Sequence, residues 1–445
     1  MRRVIYTVTV FLCIHSLTAQ EEKTSFSLDE AIAYALEYNY TAINSNREIL
    51  DAQKQKWEVI ATGLPQIDGN INYQNRLKQP VTPLPAEVVG GTPGTFIPVI
   101  FTPPQAASAT ATLRQQVFDG SYIVGIQATN AFLRFSQNNK EKTDQDVTKM
   151  VVEAYGNVLL AQETAKIANK NKETLEKNLF ETERLYENGL GDEESVEQLK
   201  ITLASIDNIL KNALRFEDIT LQMLNLVMGL PVENQTQLEE NLDDLVLKQI
   251  DYGLLDSNFV MENNVDYKLV FNLNEQRYYE LKLAKSRALP TLNAYVNYGA
   301  SSFSDQFDFL GSGGPEWFQA STLGFDLNIP IFSSLNRSAS TQRAKIAYEQ
   351  AKTQLTETEQ QLRLRLERAK SDYLFAIETY ETNKDNLDLA ERIEKKNQIK
   401  YSEGLATSFE LRQAQTQLYT AQGDFLQSMV DVINRKIDLE TILKN

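Results

Sequence analysis

The sequence predicts a mixed α and β membrane protein. Four membrane β-strands per chain would join a barrel shared between copies, and long coiled-coil-like helices would continue it. Three observations predict this. The chain repeats itself once along its length. Two proline-free stretches, Gln105 to Leu230 and Ile331 to Asn445, are polar and rich in Ala and Leu, as long helices are. Four runs of about ten residues alternate between an apolar and a polar face, the weak signature of a membrane strand.

Composition bounds the answer first. The chain has 445 residues, 42% hydrophobic and 23% charged, with a formal net charge of −16. That excludes collagen-like, disulfide-rich and plainly disordered proteins. An acidic chain is a poor nucleic-acid binder, because phosphate binding needs clustered Lys and Arg. Residues 1–19 read as a secretory signal peptide: basic Arg2 and Arg3, an apolar run from Val4 to Leu17, and a cleavage site at Leu17-Thr18-Ala19. The run is short for a membrane anchor. Cys13 lies in mid-run without the small residues a lipidation site needs. Cleavage would remove Cys13 and His15, the only Cys and His, and leave a charge of about −18. Thiol and imidazole nucleophiles, Cys/His zinc sites and disulfides go with them. There is no S-x-x-K pattern, and Gly311-Ser312-Gly313-Gly314 has no Lys after it to make a phosphate loop. No catalytic residue, metal or cofactor is expected.

The repeat organises the rest. Leu64-Pro65-Gln66-Ile67 and Asn72-Tyr73 correspond to Leu289-Pro290-Thr291-Leu292 and Asn297-Tyr298, at an offset of 225. Val117-Phe118 corresponds to Ile331-Phe332 at 214, and Tyr186-x-x-Gly189-Leu190 to Tyr401-x-x-Gly404-Leu405 at 215. Seven of the twelve prolines fall between Pro80 and Pro104, and an insertion there accounts for the change of offset. Each half reads helix, strand, loop, strand, very long helix, turn, helix. The segments are 20–63 (N-terminal helical segment), 64–118 (first strand pair, with the proline-rich loop 78–106), 119–230 (first helical hairpin), 231–288 (connecting segment), 289–332 (second strand pair) and 333–445 (second helical hairpin).

Apolar residues in the hairpins recur at 3–4 spacing. Val151, Ala154, Val158, Ala161, Ala165, Ala168, Leu175 and Leu179 form one such row, with Lys172 interrupting it. Leu366, Ala369, Tyr373, Ala376, Tyr380, Leu387 and Ala390 repeat the register 215 residues on. Val196, Leu199, Leu203, Ile206 and Leu210 match Leu411, Ala414, Leu418, Ala421 and Phe425. This is a heptad seam. Periodicity alone would equally describe a bundle core, but length argues otherwise. Helices of about 65 residues, from Ser121 to Tyr186 and Asn336 to Tyr401, run on the order of 100 Å. The basic run Arg363, Arg365, Arg368 and Lys370 alternates with leucines and reads as a solvated helix face.

The four strands set Ile67, Ile71 and Tyr73; Ala107, Ala109, Ala111, Leu113 and Val117; Leu292, Ala294, Val296 and Tyr298; and Leu323, Phe325, Leu327, Ile329 and Ile331 on their apolar faces. No helix reads as a membrane span. A membrane sheet must close, because open edges cannot face lipid. Four strands are below the minimum of about eight, so several chains must share one barrel. Two, three or four copies satisfy the minimum; three would give twelve strands.

At this point the chain resembles the TolC family of outer-membrane efflux channels. The resemblance runs from about Ser27 to the last helix. It rests on the repeat, the paired strand regions and the turn Tyr401-Ser402-Glu403-Gly404-Leu405-Ala406-Thr407-Ser408-Phe409-Glu410-Leu411, followed by Ala414 and Leu418-Tyr419. It implies a homotrimer in the outer membrane that extends into the periplasm. Twelve strands would be continued by a helical tunnel. The partners implied are a periplasmic adaptor, an inner-membrane pump of RND (proton-driven) or ABC (ATP-driven) type, and outer-membrane lipid. The competing readings are a periplasmic coiled-coil scaffold and a stand-alone porin.

Gly189 and Gly404 suit the left-handed conformation that ends a helix. Leu190 and Leu405 follow them at the tips, where an adaptor would dock, and Tyr186 and Tyr401 precede them. The resemblance implies a pore-facing acid at Glu410, giving a carboxylate ring that attracts cations and resists full ionisation. The sequence departs from the family at the next ring position, which is Gln413. It departs again at Ser195, six residues after Gly189, where no carboxylate is available to latch Tyr401. Ser27-x-x-Glu30 fits a helix capping box.

Overall fold

The computed structural model describes residues 25–310 and 313–443. The signal peptide expected at 1–19 lies outside the described residues. In chain order the elements are β1 (Ser25–Phe26), α1 (Leu28–Tyr38), α2 (Tyr40–Thr62), β2 (Gln66–Asn75), β3 (Thr82–Pro85), β4 (Phe96–Val99), β5 (Gln105–Asp119), α3 (Gly120–Glu187), α4 (Glu193–Met228), β6 (Gln237–Leu238), α5 (Leu242–Gln249), α6 (Val265–Ser286), β7 (Thr291–Ser304), β8 (Trp317–Asn328), α7 (Asn336–Ser402) and α8 (Ser408–Leu443). The repeat is explicit: α3 and α7 have 68 and 67 residues, and α4 and α8 have 36 each.

The chain forms two units, and each draws on both halves of the repeat. One comprises the described part of 1–43, with 143–258 and 365–443; the other comprises 44–142 and 259–364. In the second unit, β2, β5, β7 and β8 form an antiparallel sheet in that order. Its register puts Ile67, Leu113, Val296 and Leu323 in one row on one face. Asp68, Thr112, Asn297 and Thr322 form a row on the other. This is the alternation the sequence carries, with two corrections. A bulge between Gln116 and Phe118 sets Phe118, not Val117, opposite Leu292, because one extra residue reverses every later side chain. And β8 ends at Asn328. Pro330 has no N–H for a ladder, so Ile329 and Ile331 follow the strand as exposed residues rather than completing its apolar face.

The proline-rich segment is more ordered than a plain loop. β3 and β4 pair antiparallel, with Pro83 opposite Pro98. Two-stranded edge pairing tolerates prolines whose missing N–H would face solvent.

In the first unit most of the heptad residues are buried, while Leu203, Leu210, Leu387, Ala421 and Phe425 are half-buried. Val151, Val158, Leu175, Leu199, Leu366, Tyr373, Leu411 and Ala414 are all in the core. Leu175, Leu199 and Ile206 form one cluster, with Leu179, Leu203 and Tyr419 packed against it. Two buried tyrosines pin the short elements to the long helices. Tyr155 donates its hydroxyl to the Phe26 carbonyl at 3.1 Å. Tyr373 donates to the Gln249 carbonyl at 2.7 Å and accepts from the Asp251 N–H at 2.9 Å. Burial pushes both phenols up. Ser27 and Glu30 form the expected capping box at the start of α1.

Lys172, the interruption in the α3 row, has a partner on α4. It donates to Asp207 at 2.6 Å, and Lys211 lies 2.6 Å from the other Asp207 oxygen. The two ammonium groups hold the Asp207 carboxyl down at about 2. A native pKa depressed in this way stabilises the fold above the unfolded value of about 3.9. The contribution is lost as pH falls through the native value. Asp207→Asn is therefore expected to lower Tm at pH 7 and to flatten its pH dependence between about pH 4 and pH 2, as circular-dichroism melts would record.

Candidate functional site

The two interhelical turns, α3–α4 and α7–α8, are built alike. Each long helix ends in the six-to-one and five-to-two pair of hydrogen bonds that closes a helix through a left-handed residue. Leu190 N–H donates to Leu185 C=O at 2.8 Å, and Gly189 N–H to Tyr186 C=O at 2.9 Å. Leu405 N–H donates to Lys400 C=O at 2.7 Å, and Gly404 N–H to Tyr401 C=O at 3.0 Å. Gly189 and Gly404 have φ of 73° and 72°. A Cβ on either would meet open space, so backbone conformation alone requires glycine there.

The following leucine usually packs back on its own helix in such a motif. The chain contains its own control. At the end of α4 the same pair of bonds closes through Gly229, and there Leu230 is 8% exposed. At the turns Leu190 is 79% exposed and Leu405 78%. The motif does not force exposure, so these two apolar side chains are left projecting.

Each following helix opens with a cap three residues after the turn glycine, at positions related by the 215-residue offset. On α4, Asp192 accepts from Ser195 N–H at 2.7 Å and from the Ser195 hydroxyl at 2.9 Å. On α8, Thr407 Oγ1 accepts from Glu410 N–H at 3.2 Å. The Glu410 carboxylate accepts from Thr407 N–H at 2.7 Å and from its hydroxyl at 3.0 Å. The acid and the hydroxyl have exchanged places between the two turns. Those donated bonds lower the pKa of both Asp192 and Glu410. In one chain Glu410 is thus held ionised, against the tendency expected of a self-repelling ring.

Other sequence-predicted residues fall as follows. Gln413 is exposed on α8 beside Phe409, Arg412 and Asn386 along an open groove. Tyr186 is exposed. Tyr401 bonds through its hydroxyl to Thr182 at 3.2 Å, not to Ser195, whose hydroxyl is engaged by Asp192. Arg363, Arg365 and Arg368 are exposed on α7 and Lys370 is half-buried, but Leu364 among them is exposed as well. Sequence reasoning missed a buried polar layer next to the turns. Gln415 is buried beside Glu394, whose carboxyl burial pushes up while the Gln415 amide acts in the opposite direction. Asn178 accepts from the Gln398 amide at 3.3 Å. The available signal was a polar residue directly after the seam residue Ala414, flanking the apolar row.

With this geometry in view, the comparisons define the class. The described structure has the fold of outer-membrane channels. It superposes on the outer membrane protein VceC of Vibrio cholerae with a TM-score of 0.73 at 16% identity, covering 94% of this chain and 95% of that one. The Campylobacter jejuni CmeC outer membrane channel gives 0.73 at 16% identity, covering 94% and 85%. In sequence, residues 272–443 match the family described as outer membrane efflux protein. The alkaline protease secretion protein AprF of Pseudomonas aeruginosa is 23% identical over 333 residues, 73% of this chain and 67% of that protein. Nearly all of the chain thus has the fold of these channels, and residues 272–443 carry the outer membrane efflux protein sequence pattern.

Proposed function

We propose that this chain is the outlet duct of a tripartite efflux or type I export system. It would pass substrates, chemically unchanged, from an inner-membrane pump and a periplasmic adaptor to the outside. It is an outer-membrane channel that extends into the periplasm. The observation that carries the assembly is the sheet. β2 and β8 are its edges, and all ten residues of β2 are exposed. Unpaired edges are untenable in lipid. Because the strand number per chain is even, the two edges run in opposite directions. The β8 edge of one copy can therefore continue antiparallel into the β2 edge of the next. Three copies close twelve strands. No helix among the described residues is long and apolar enough to cross a membrane, so the sheet is the spanning element.

At the helical turns, Leu190 and Leu405 are the adaptor-docking residues. Gly189 and Gly404 set the turns, and Tyr186 and Tyr401 flank them. Their projection supports this role. A protease-secretion relative favours the export branch; the efflux-family match favours the efflux branch. A photo-crosslinking residue at Leu190 or Leu405 tests the proposal in cells. Capture of an adaptor encoded with an RND pump supports efflux, and capture of one encoded with an ABC exporter supports secretion. No adduct from a correctly assembled trimer refutes the docking role and returns the stand-alone porin.

Glu410 and Gln413 are the pore-lining candidates. Glutamine can serve at the third helical position of a capping box, so Glu410→Gln removes charge and keeps the cap. Bilayer recordings in a KCl gradient are expected to show the reversal potential moving toward zero as cation preference falls. An unchanged potential would leave Glu410 as a cap alone.

A further inference from the structure

The loop between β7 and β8 does not stand free of the sheet. Its rings fold onto the apolar face. Phe307 meets Tyr73 edge-on at 5.1 Å, and Phe309 lies 6.0 Å from Tyr73, 6.0 Å from Phe307 and 6.5 Å from Trp317. Tyr73 is on β2 and Trp317 on β8, the two outermost strands, so this clasp crosses the whole sheet. The register places Tyr73, Ala107, Ser302 and Trp317 in a single row. The two middle members of that row, Ala107 and Ser302, are 9% and 0% exposed, which is what a ring laid across them produces. Phe309 itself is buried, whereas Phe307 is exposed and Leu310 is 87% exposed.

Position along the strand fixes the level of this strap. The row lies ten residues along β7 from Leu292, the row next to the helices. At about 3.4 Å per residue and a tilt of about 40°, that is a height of about 25 Å, the height of a barrel's apolar band. The row therefore sits at the outer rim of the band, where Trp and Tyr gather at membrane interfaces. The strap also carries exposed Asp305 and Asp308. An apolar side with acids beside it suits the boundary between hydrocarbon and headgroups.

We propose that residues 305–310 are an interfacial anchor that seats Phe307 and Leu310 in the outer leaflet of the membrane. The inference rests on reading the apolar sheet face as lipid-facing. A second copy is the competing occupant, but copies join at the strand edges, in the plane of the sheet. The strap stands on the face, continuous with Ile71, Leu323 and Phe325, which are all exposed there.

Power-saturation EPR tests it. The full chain is labelled at Leu310→Cys in a Cys13→Ser background and reconstituted in vesicles of phosphatidylethanolamine and phosphatidylglycerol. Parallel labels at Leu323→Cys and Val88→Cys provide mid-band and loop references. The expected result is a ratio of oxygen to nickel-chelate accessibility at 310 several-fold above that at 88 and below that at 323. A ratio at 310 equal to that at 88 overturns the anchor. So does a label at 310 shielded from both reagents and broadened by a neighbouring spin, which would assign the strap to a second copy. A label at 323 open to the nickel chelate would instead overturn the lipid-facing reading beneath it.

Discussion

Replacing Leu190 and Leu405 by aspartate together is expected to abolish transport while leaving the protein folded and trimeric. The two side chains project at 79% and 78% exposure, so removing them from the free protein opens no cavity. Surface changes of that kind alter stability by only about 0.5 kcal/mol or less. In a docked complex the balance differs. A buried apolar anchor at the centre of an interface contributes about 2 kcal/mol or more. Aspartate would add the cost of burying a charge. Two anchors at separate turns should be nearly additive, so adaptor affinity should fall by about a thousandfold. Pull-down of the adaptor and a growth assay with exported toxicants would report the loss. An unchanged melting temperature would assign it to docking. Each single variant should retain partial function, because the other turn still carries its leucine.

Gly229→Ala is expected to be the most damaging single glycine substitution among the three helix-ending glycines. Gly229 has φ of 85°, where an L-residue costs about 1 kcal/mol. Gly189 and Gly404 share that cost. Gly229 differs in its surroundings. Its Cβ would overlap the carbonyl oxygen of Tyr38, at the point where Asn39 breaks α1 from α2. Asn39 is itself fixed there, donating its amide to Val227 C=O at 2.7 Å and accepting from Thr41 N–H at 2.8 Å. Backbone held on both sides cannot yield, so overpacking adds about 2 kcal/mol. A total near 3 kcal/mol should lower Tm by several degrees and reduce the yield of assembled protein. Gly404→Ala, with open space around its Cβ, should lose only about 1 kcal/mol. Melts of the two variants side by side make the comparison.

Much of this architecture is legible in the sequence because its signals are long. The helices that end near Tyr186 and Tyr401 run for over sixty residues without a proline. The glycine one or two residues beyond each helix end is a local rule that the backbone obeys. The strands are legible only as alternation, and alternation fails wherever one residue is inserted. The bulge at Gln116–Phe118 carries no such mark, and so Val117 and Phe118 exchange faces. Pro330 did mark the end of β8, but the apolar Ile329 and Ile331 on either side of it masked the signal. Lys172 registers as a break in the seam, yet its partner is 35 residues away on another helix, beyond the reach of periodicity. Leu190 and Leu405 are singled out by the repeat, but their exposure is decided by what surrounds each turn. Leu230 follows an identical turn and is buried. The strap over Tyr73 has no periodicity at all; it depends on ring contacts across four strands.

The exchange of acid and hydroxyl between the two caps bears on how such a channel can diversify. Asp192 with Ser195 and Thr407 with Glu410 satisfy the same helix start with the same two kinds of group. The negative charge has nonetheless moved by three residues, about 4.5 Å along the helix axis. A duplicated unit can thus relocate a fixed charge beside a helix turn through two substitutions, without forfeiting the helix start. The two halves of this chain differ by such a shift, so their turns are alike in backbone and unlike in where the negative charge sits.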